Sequence, residues 1–325
     1  MIAGPRIGTA QPGPGGLRLA EVGDRLWTAG LTAIGGSMLA VAGLVVVVLT
    51  RTAAPAVSQI GAWRFLGGQE WDPVSGAFGA LPFVYGTVVT SVLAIALALP
   101  VSVGLALFLG EMGPPALRRP VSFAVETLAA IPSVVYGLWG LFVLVPLLRH
   151  PVEPLLGRWL GFLPLFKGPP IGLGYLAAGL ILAIMILPTI ASVALDVVRT
   201  VPAALKEGAL ALGATRWEMI HLTVLPHARP GIVGAALLGL GRALGETMAV
   251  AMVIGNAPEI RASLFAPGYT LPAVLANEFS EATSAMHIGA LAGLGLVLFG
   301  ITVLLNAIAR LLLVLTSRRV SRVRA

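Results

Sequence analysis

Six long apolar runs dominate the chain: Trp27 to Leu49, Pro82 to Leu109, Val121 to Leu148, Leu173 to Leu195, Pro230 to Gly255 and Met286 to Leu315. The shortest has 23 residues and as a helix would be about 35 Å long, against a hydrocarbon core of about 30 Å. Each is long enough to cross a membrane. No run alternates polar and apolar residues as a barrel strand does, which leaves helices as the way to satisfy backbone groups in lipid. With 57% hydrophobic and 11% charged residues over 325 positions, the chain reads as an all-α integral membrane protein with six transmembrane helices.

Basic residues set the direction. With the N-terminus inside, the segments on the cytoplasmic side hold fourteen of the 21 Lys and Arg residues, those outside hold six, and Arg242 lies within a span. That bias predicts both termini on the cytoplasmic side of a multi-pass protein in the cell membrane. Residues 1–26 read as a mobile cytoplasmic arm, 27–49 as the first span, 50–81 as an external loop, 82–315 as the permease core and 316–325 as a basic tail. The first run exceeds the apolar core of a signal peptide, so it is read as an anchor despite a faint cleavage-like Ala54-Pro55-Ala56. Outside, Arg149 to Gly172 is expected to be broken by Pro151, Pro154, Pro164, Pro169 and Pro170.

Between the fourth and fifth runs, Asp196 to Arg229 is too interrupted to insert. Pro202, with Thr200 as a cap, predicts a helix running to about Leu212, where Gly213 breaks it. Thr215-Arg216-Trp217-Glu218 has the spacing of a capping box and opens a second helix, which Pro226 is expected to end. Leu205, Leu210, Leu212, Trp217, Ile220 and Leu225 are its candidate contact points. Such a pair either lies on lipid headgroups or acts as a lever docked into another protein.

Several chemistries are excluded. The chain has no cysteine, so thiolate metal sites and Cys nucleophiles are ruled out. Its two lysines, Lys167 and Lys206, follow Phe166 and Leu205, whereas a Walker A loop needs Gly-Lys to cradle phosphates. His150, His221, His227 and His287 have no metal-ligand spacing, and no Gly-x-Ser-x-Gly elbow occurs. Nothing in the sequence asks for a cofactor or metal. Gly241 with Gly245, and Gly289 with Gly293, have the small-xxx-small spacing of close helix packing.

Three ionisable residues fall within the runs. Glu126 lies near the cytoplasmic headgroups, where snorkelling or pairing with Arg118 or Arg119 accounts for it. Arg242 and Glu246 lie deeper, where a charge costs at least about 2.5 kcal/mol on insertion scales. Their spacing of four would put them on one helix face. They form either a structural ion pair or an anion pathway, in which a permanent guanidinium offers donors to an oxyanion. Pro100, Pro132 and Pro188 would kink three of the spans, with Ser102, Ser133 or Thr189 available to freed carbonyls.

Two stretches carry a resemblance. Glu207-Gly208-Ala209, three residues, Gly213, nine residues and Thr223-Val224-Leu225-Pro226 closely resemble the Glu-Ala-Ala-x3-Gly-x9-Ile-x-Leu-Pro signature of the membrane subunits of binding-protein-dependent ABC importers. In that family the loop inserts into a cleft on the ATPase. Gly208 and Thr223 depart from the signature. The run Gly241-Arg242-Ala243-Leu244-Gly245-Glu246-Thr247-Met248-Ala249-Val250 with Val253-Ile254-Gly255-Asn256, and Ile131-Pro132-Ser133-Val134-Val135-Tyr136-Gly137-Leu138-Trp139-Gly140-Leu141-Phe142, are similar to PstC-type permeases of the phosphate-specific transport system.

The resemblance implies a MetI-like core and a non-enzymatic subunit that imports phosphate. It implies a sister permease (PstA-like), an ATPase dimer (PstB-like) that hydrolyses ATP, and an external phosphate-binding protein (PstS-like). It implies ATPase coupling through Glu207, Gly208, Ala209, Gly213, Leu225 and Pro226, while the substrate pathway expected from the residues themselves comprises Arg242, Glu246 and Thr247. Sulfate or molybdate as substrate, an ion-coupled secondary transporter and a non-transporting scaffold are the alternatives.

Overall fold

A computed structural model describes residues 14–321 of the chain. Helix α1 (Pro14–Ile60) exposes its apolar side chains from Leu26 to Val48. It begins inside the stretch read as an arm, whose first thirteen residues lie outside the described ones, and runs eleven residues past Leu49 into the predicted loop. A single-helix unit reaches to Arg51, and a second unit, from Thr52 on, is a helical bundle. The rest of the predicted first loop is a short helix α2 (Ala62–Gly67) and a two-stranded antiparallel hairpin, β1 (Trp71–Asp72) with β2 (Ala77–Phe78).

The bundle is built around three helices. α3 (Leu81–Met112) ends in a wide π turn from Phe108. It packs along α6 (Tyr175–Arg199), the most buried of the long helices. The two run in the same direction: Gly86 of α3 meets the Tyr175 end of α6, and Gly110 meets Val198. α9 (Leu225–Gly245) returns antiparallel, with Gly231 against Val197 and Gly239 against Ile190. Small residues permit this approach. A Cβ on Gly179 would come 2.4 Å from Leu93, and Ala94, Ala98, Ala177, Ala178 and Ala194 are buried in the same core. In lipid, where apolar burial does not drive helix association, close packing of this kind supplies the attraction.

The expected third span divides in two. α4 (Pro115–Ala130) is an amphipathic helix; Ile131 and Pro132 are extended, and α5 (Ser133–Leu160) begins afresh. Pro132 lacks an N–H and drives Ile131 out of the helical region, so it breaks the helix where a kink was expected. Glu126 is thereby on α4, exposed and outside the membrane-crossing helix. Conversely, Pro151 and Pro154 do not interrupt α5, which passes through wide turns at Gly140–Leu144 and Leu148–Val152. Those turns shift the hydrogen-bond register by one residue, so that a proline can be absorbed.

Pro100 and Pro188 do lie inside helices, as expected. The Ser102 hydroxyl donates to the Leu187 carbonyl at 3.0 Å, fastening α3 to α6 beside Pro188.

Beyond α6 come α7 (Ala203–Ala211), α8 (Arg216–Met219), α9, α10 (Met248–Val253), α11 (Leu271–Glu278) and α12 (Ala285–Ser321). Five helices among the described residues are long and apolar enough to cross: Asp24–Ile60, α3, α5, α6 and Ala285–Ile308 within α12. The expected fifth crossing, Pro230 to Gly255, is divided between the short α10 and the longer α9. The latter is 21 residues long, glycine-rich, and stops before Glu246. Gly289 and Gly293 of α12 do pack closely, against Ala56 and Phe65.

Candidate functional site

The segment after α6 forms two short helices, as its sequence predicts. Thr200 does not cap α7: its hydroxyl turns back to the Val197 carbonyl, and Pro202 precedes the helix. α7 closes at Gly213, whose φ of +87° lies in the left-handed region. The Gly213 amide donates to the Leu210 carbonyl and the Ala214 amide to the Ala209 carbonyl. That is the Schellman arrangement, which satisfies the last carbonyls of a helix and favours glycine at its pivot.

α8 opens with the capping box. Thr215 Oγ1 accepts from the Glu218 amide at 3.3 Å, and Glu218 Oε2 accepts from the Thr215 amide at 2.8 Å. The Thr215 amide, followed by the Thr215 hydroxyl, holds the Glu218 carboxyl below its usual value of 4.5.

Pro226 does not end this helix. A wide turn at Ile220–Val224 carries α8 directly into α9, and Pro226 falls in the first turn of α9. The Leu225 amide bonds back to the Ile220 carbonyl, five residues away, so the ring of the next residue is accommodated. The second short helix is therefore continuous with a long helix of the bundle, and the first is joined to it through the Gly213 turn.

Their base is packed. Met219, Ile220 and Val224 are buried with Leu107, Val198 and Val201, so Ile220 and half-buried Leu225 hold the stem and do not project. Leu212 (91% exposed), Trp217 (60%), Leu205 and Leu210 do project, together with Glu207, Gly208 and Gly213. Ala209 is half-buried and Pro226 exposed.

One contact here was not visible in the sequence. Lys206 Nζ on α7 pairs with Glu111 Oε1 at the end of α3, at 2.5 Å, with side chains only 19% and 9% exposed. The partners are 95 positions apart.

The second group of candidates lies at the other end of α9. Because α9 stops at Gly245, Glu246 is extended and does not share a helix face with Arg242. No ion pair joins them among the described residues. Instead Glu246 Oε1 accepts from the Ala249 amide at 3.4 Å, at the start of α10, and the Thr247 hydroxyl donates to the Gly245 carbonyl at 3.3 Å. Arg242 Nη1 donates to Thr189 Oγ1 at 3.3 Å, on α6 one residue past Pro188, and is otherwise exposed.

α10 packs on α5 at Gly137, where an added Cβ would come 3.0 Å from Ala249. Two helix interruptions, Ile131-Pro132 and Glu246-Thr247, thus lie near one level of the bundle. Added Cβ atoms on Gly241 and Gly245 would meet nothing within 4 Å in this chain, so that small-residue strip is open. Non-helical backbone and a charge at membrane depth require protein or a wet cavity around them.

A membrane bundle of this kind, with a two-helix projection tied to one long helix, defines a transport permease subunit. Residues 102–322 match the family described as binding-protein-dependent transport system inner membrane component. The chain is 52% identical over 255 residues to the phosphate transport system permease protein PstC of Mesorhizobium japonicum, covering 77% of this chain and 78% of that protein. It belongs to the PstC family of binding-protein-dependent transport permeases.

The fold is similar to that of a bacterial alginate ABC transporter solved with its alginate-bound periplasmic protein, with a TM-score of 0.55 over 91% of this chain and 98% of that one at 19% identity. It is also similar to the MetNI methionine ABC transporter in inward-facing form, at TM-score 0.51 and 22% identity over 73% of this chain and 94% of that one.

Proposed function

We infer that the chain is the membrane-spanning permease subunit of an ABC importer that carries inorganic phosphate across the cell membrane. The observation that carries this reading is the path from the projecting pair α7 and α8 through the wide turn into α9, which ends three residues beyond Arg242. A push on the projection would move the helix that bears the guanidinium. Glu207, Gly208, Ala209 and Gly213 make the docking face for an ATPase dimer, and Leu225 and Pro226 make the stem that transmits its motion. ATP would be hydrolysed by that dimer, with both termini of this chain on the same, cytoplasmic side.

In this reading Arg242 is the phosphate ligand of the pathway. Its planar guanidinium offers paired donors to a tetrahedral oxyanion. The single neutral partner Thr189 leaves most of those donors for substrate. Glu246 shapes the path by fixing the start of α10, and Thr247 adds a hydroxyl. The open strip at Gly241 and Gly245 is suited to close approach by a sister permease, and the hairpin end of the bundle to an external phosphate-binding protein.

The test is phosphate uptake by cells carrying Arg242→Gln or Arg242→Lys. Arg242→Gln should lower uptake by at least about 100-fold, as expected for loss of a paired charge-assisted contact of about 3 kcal/mol. Arg242→Lys should retain part of it, and both proteins should reach the membrane at wild-type levels. Uptake unchanged in Arg242→Gln refutes the pathway role, and uptake blocked equally by excess sulfate refutes the choice of phosphate.

A further inference from the structure

The end of the bundle that carries α7 and α8 also holds a cleft of about 340 Å³ between α4 and the last turns of α6. Arg118 and Arg119 of α4 and Arg199 of α6 line it, together with the hydroxyl-bearing Ser122 and Ser192. Arg118 is fixed in place, its Nε donating to the Gly113 carbonyl at 3.1 Å, which leaves its terminal nitrogens for a ligand. None of the three guanidiniums is in an ion pair among the described residues. Glu126 and Asp196 also border the cleft, both exposed, so the three cations and two carboxylates leave a net lining charge of +1. Phe123 and Leu195 give it an apolar wall.

The three guanidiniums outnumber the two carboxylates beside them by one charge, and guanidinium forks match phosphate oxygens. We propose that the cleft between α4 and α6 is a binding site for a phosphate group of about one net negative charge, separate from the Arg242 level. Arg242 is not among its lining residues. The charge balance suits a phosphodiester or monobasic phosphate, and the apolar wall accepts an organic substituent. Two sources carry that chemistry: the headgroup of an anionic phospholipid, for which basic pockets between membrane helices are a known type of site, and inorganic phosphate on the same side of the membrane. The inference does not depend on the transport reading, because it uses neither Arg242 nor the projecting helices.

The experiment uses the full-length chain, purified with whatever subunits accompany it, in nanodiscs. Arg242→Gln serves as the background, so that the pathway residue does not contribute. In discs containing phosphatidylglycerol, native mass spectrometry counts the retained lipid; in pure phosphatidylcholine discs, equilibrium dialysis with radiolabelled inorganic phosphate measures the free anion.

Arg119→Gln with Arg199→Gln should reduce binding of one of these ligands by about tenfold or more, the loss of at least one charge-assisted contact. A drop confined to phosphatidylglycerol identifies the lipid source, and a drop in dialysed phosphate identifies the free anion. Ser192→Leu, which fills the cleft and keeps its charge, should give the same loss and guards against misfolding of the double variant. If the background protein and both variants hold equal phosphatidylglycerol and equal phosphate, the site does not exist.

Discussion

Gly213 and Gly208 lie five positions apart in the same loop and are glycine for different reasons. At Gly213 the backbone requires it: with φ at +87°, a β-branched side chain costs about 1 to 3 kcal/mol of local strain and undoes the Schellman turn. Gly213→Val is expected to abolish phosphate uptake while ATPase activity of the assembled importer persists and the protein stays in the membrane. Uptake at the wild-type rate in that variant refutes the lever.

At Gly208 nothing requires it. An added Cβ meets nothing within 4 Å, so Gly208→Ala, the residue the importer signature carries there, should stabilise α7 by up to about 1 kcal/mol. Slower amide exchange across Ala203–Ala211 is the expected readout, and unchanged exchange counts against it. Gly213 could be read from the sequence because a glycine between two helical patterns implies a stop. The freedom of Gly208 could not, since open space around a position is a property of the surroundings.

The start of α8 depends on its cap, since the first amides of a helix have no carbonyl of an earlier turn to bond. Thr215→Ala removes the two bonds of the hydroxyl, leaves the amide bond to Glu218, and should cost about 1 kcal/mol of local stability. A pH dependence accompanies it. The folded-state value of the Glu218 carboxyl is depressed below 4.5, so its contribution is fully present above 4.5 and is lost as pH falls through the folded-state value. Trp217 lies in the capped turn, so its fluorescence should report loosening of α8 below 4.5 in the wild type, and a smaller step in Thr215→Ala, which keeps the amide bond. Steps of equal size in the two proteins would contradict the hydroxyl's part in the cap.

The same helix marks where local reading ends. The Thr-x-x-Glu spacing acts within one turn and is legible directly. Whether Pro226 stops a helix depends on the wide turn before it, whose end residues Ile220 and Val224 are buried with Val198 and Val201 from a distant part of the chain. Pro132 is the converse case. The apolar run is continuous through Ile131, so hydropathy joins α4 to α5, while the proline divides them.

Across the bundle, the Glu111 and Lys206 pair ties the projecting helix α7 to the end of α3. Since both side chains are mostly covered, the pair lies between a surface bridge and a buried one, and removing one partner should cost about 1 to 3 kcal/mol. Glu111→Gln and Lys206→Met are each expected to loosen α7 and weaken transport, and Glu111→Lys with Lys206→Glu should recover much of the loss. Strict additivity of the two single changes in a double-mutant cycle would refute the coupling.

The sequence by itself determined what depends on neighbours along the chain. It specified apolar runs long enough to cross lipid, the charge bias, the capped and glycine-hinged loop and the family signature. Only the tertiary structure decided where helices break, that Arg242 is bonded to Thr189 and separated from Glu246 by a helix end, and that three arginines from two helices meet in one cleft. The physical reason is the range of the forces. Hydropathy, capping and backbone preference act within a few residues, whereas helix ends, ion pairs and clefts depend on groups brought together from distant parts of the chain.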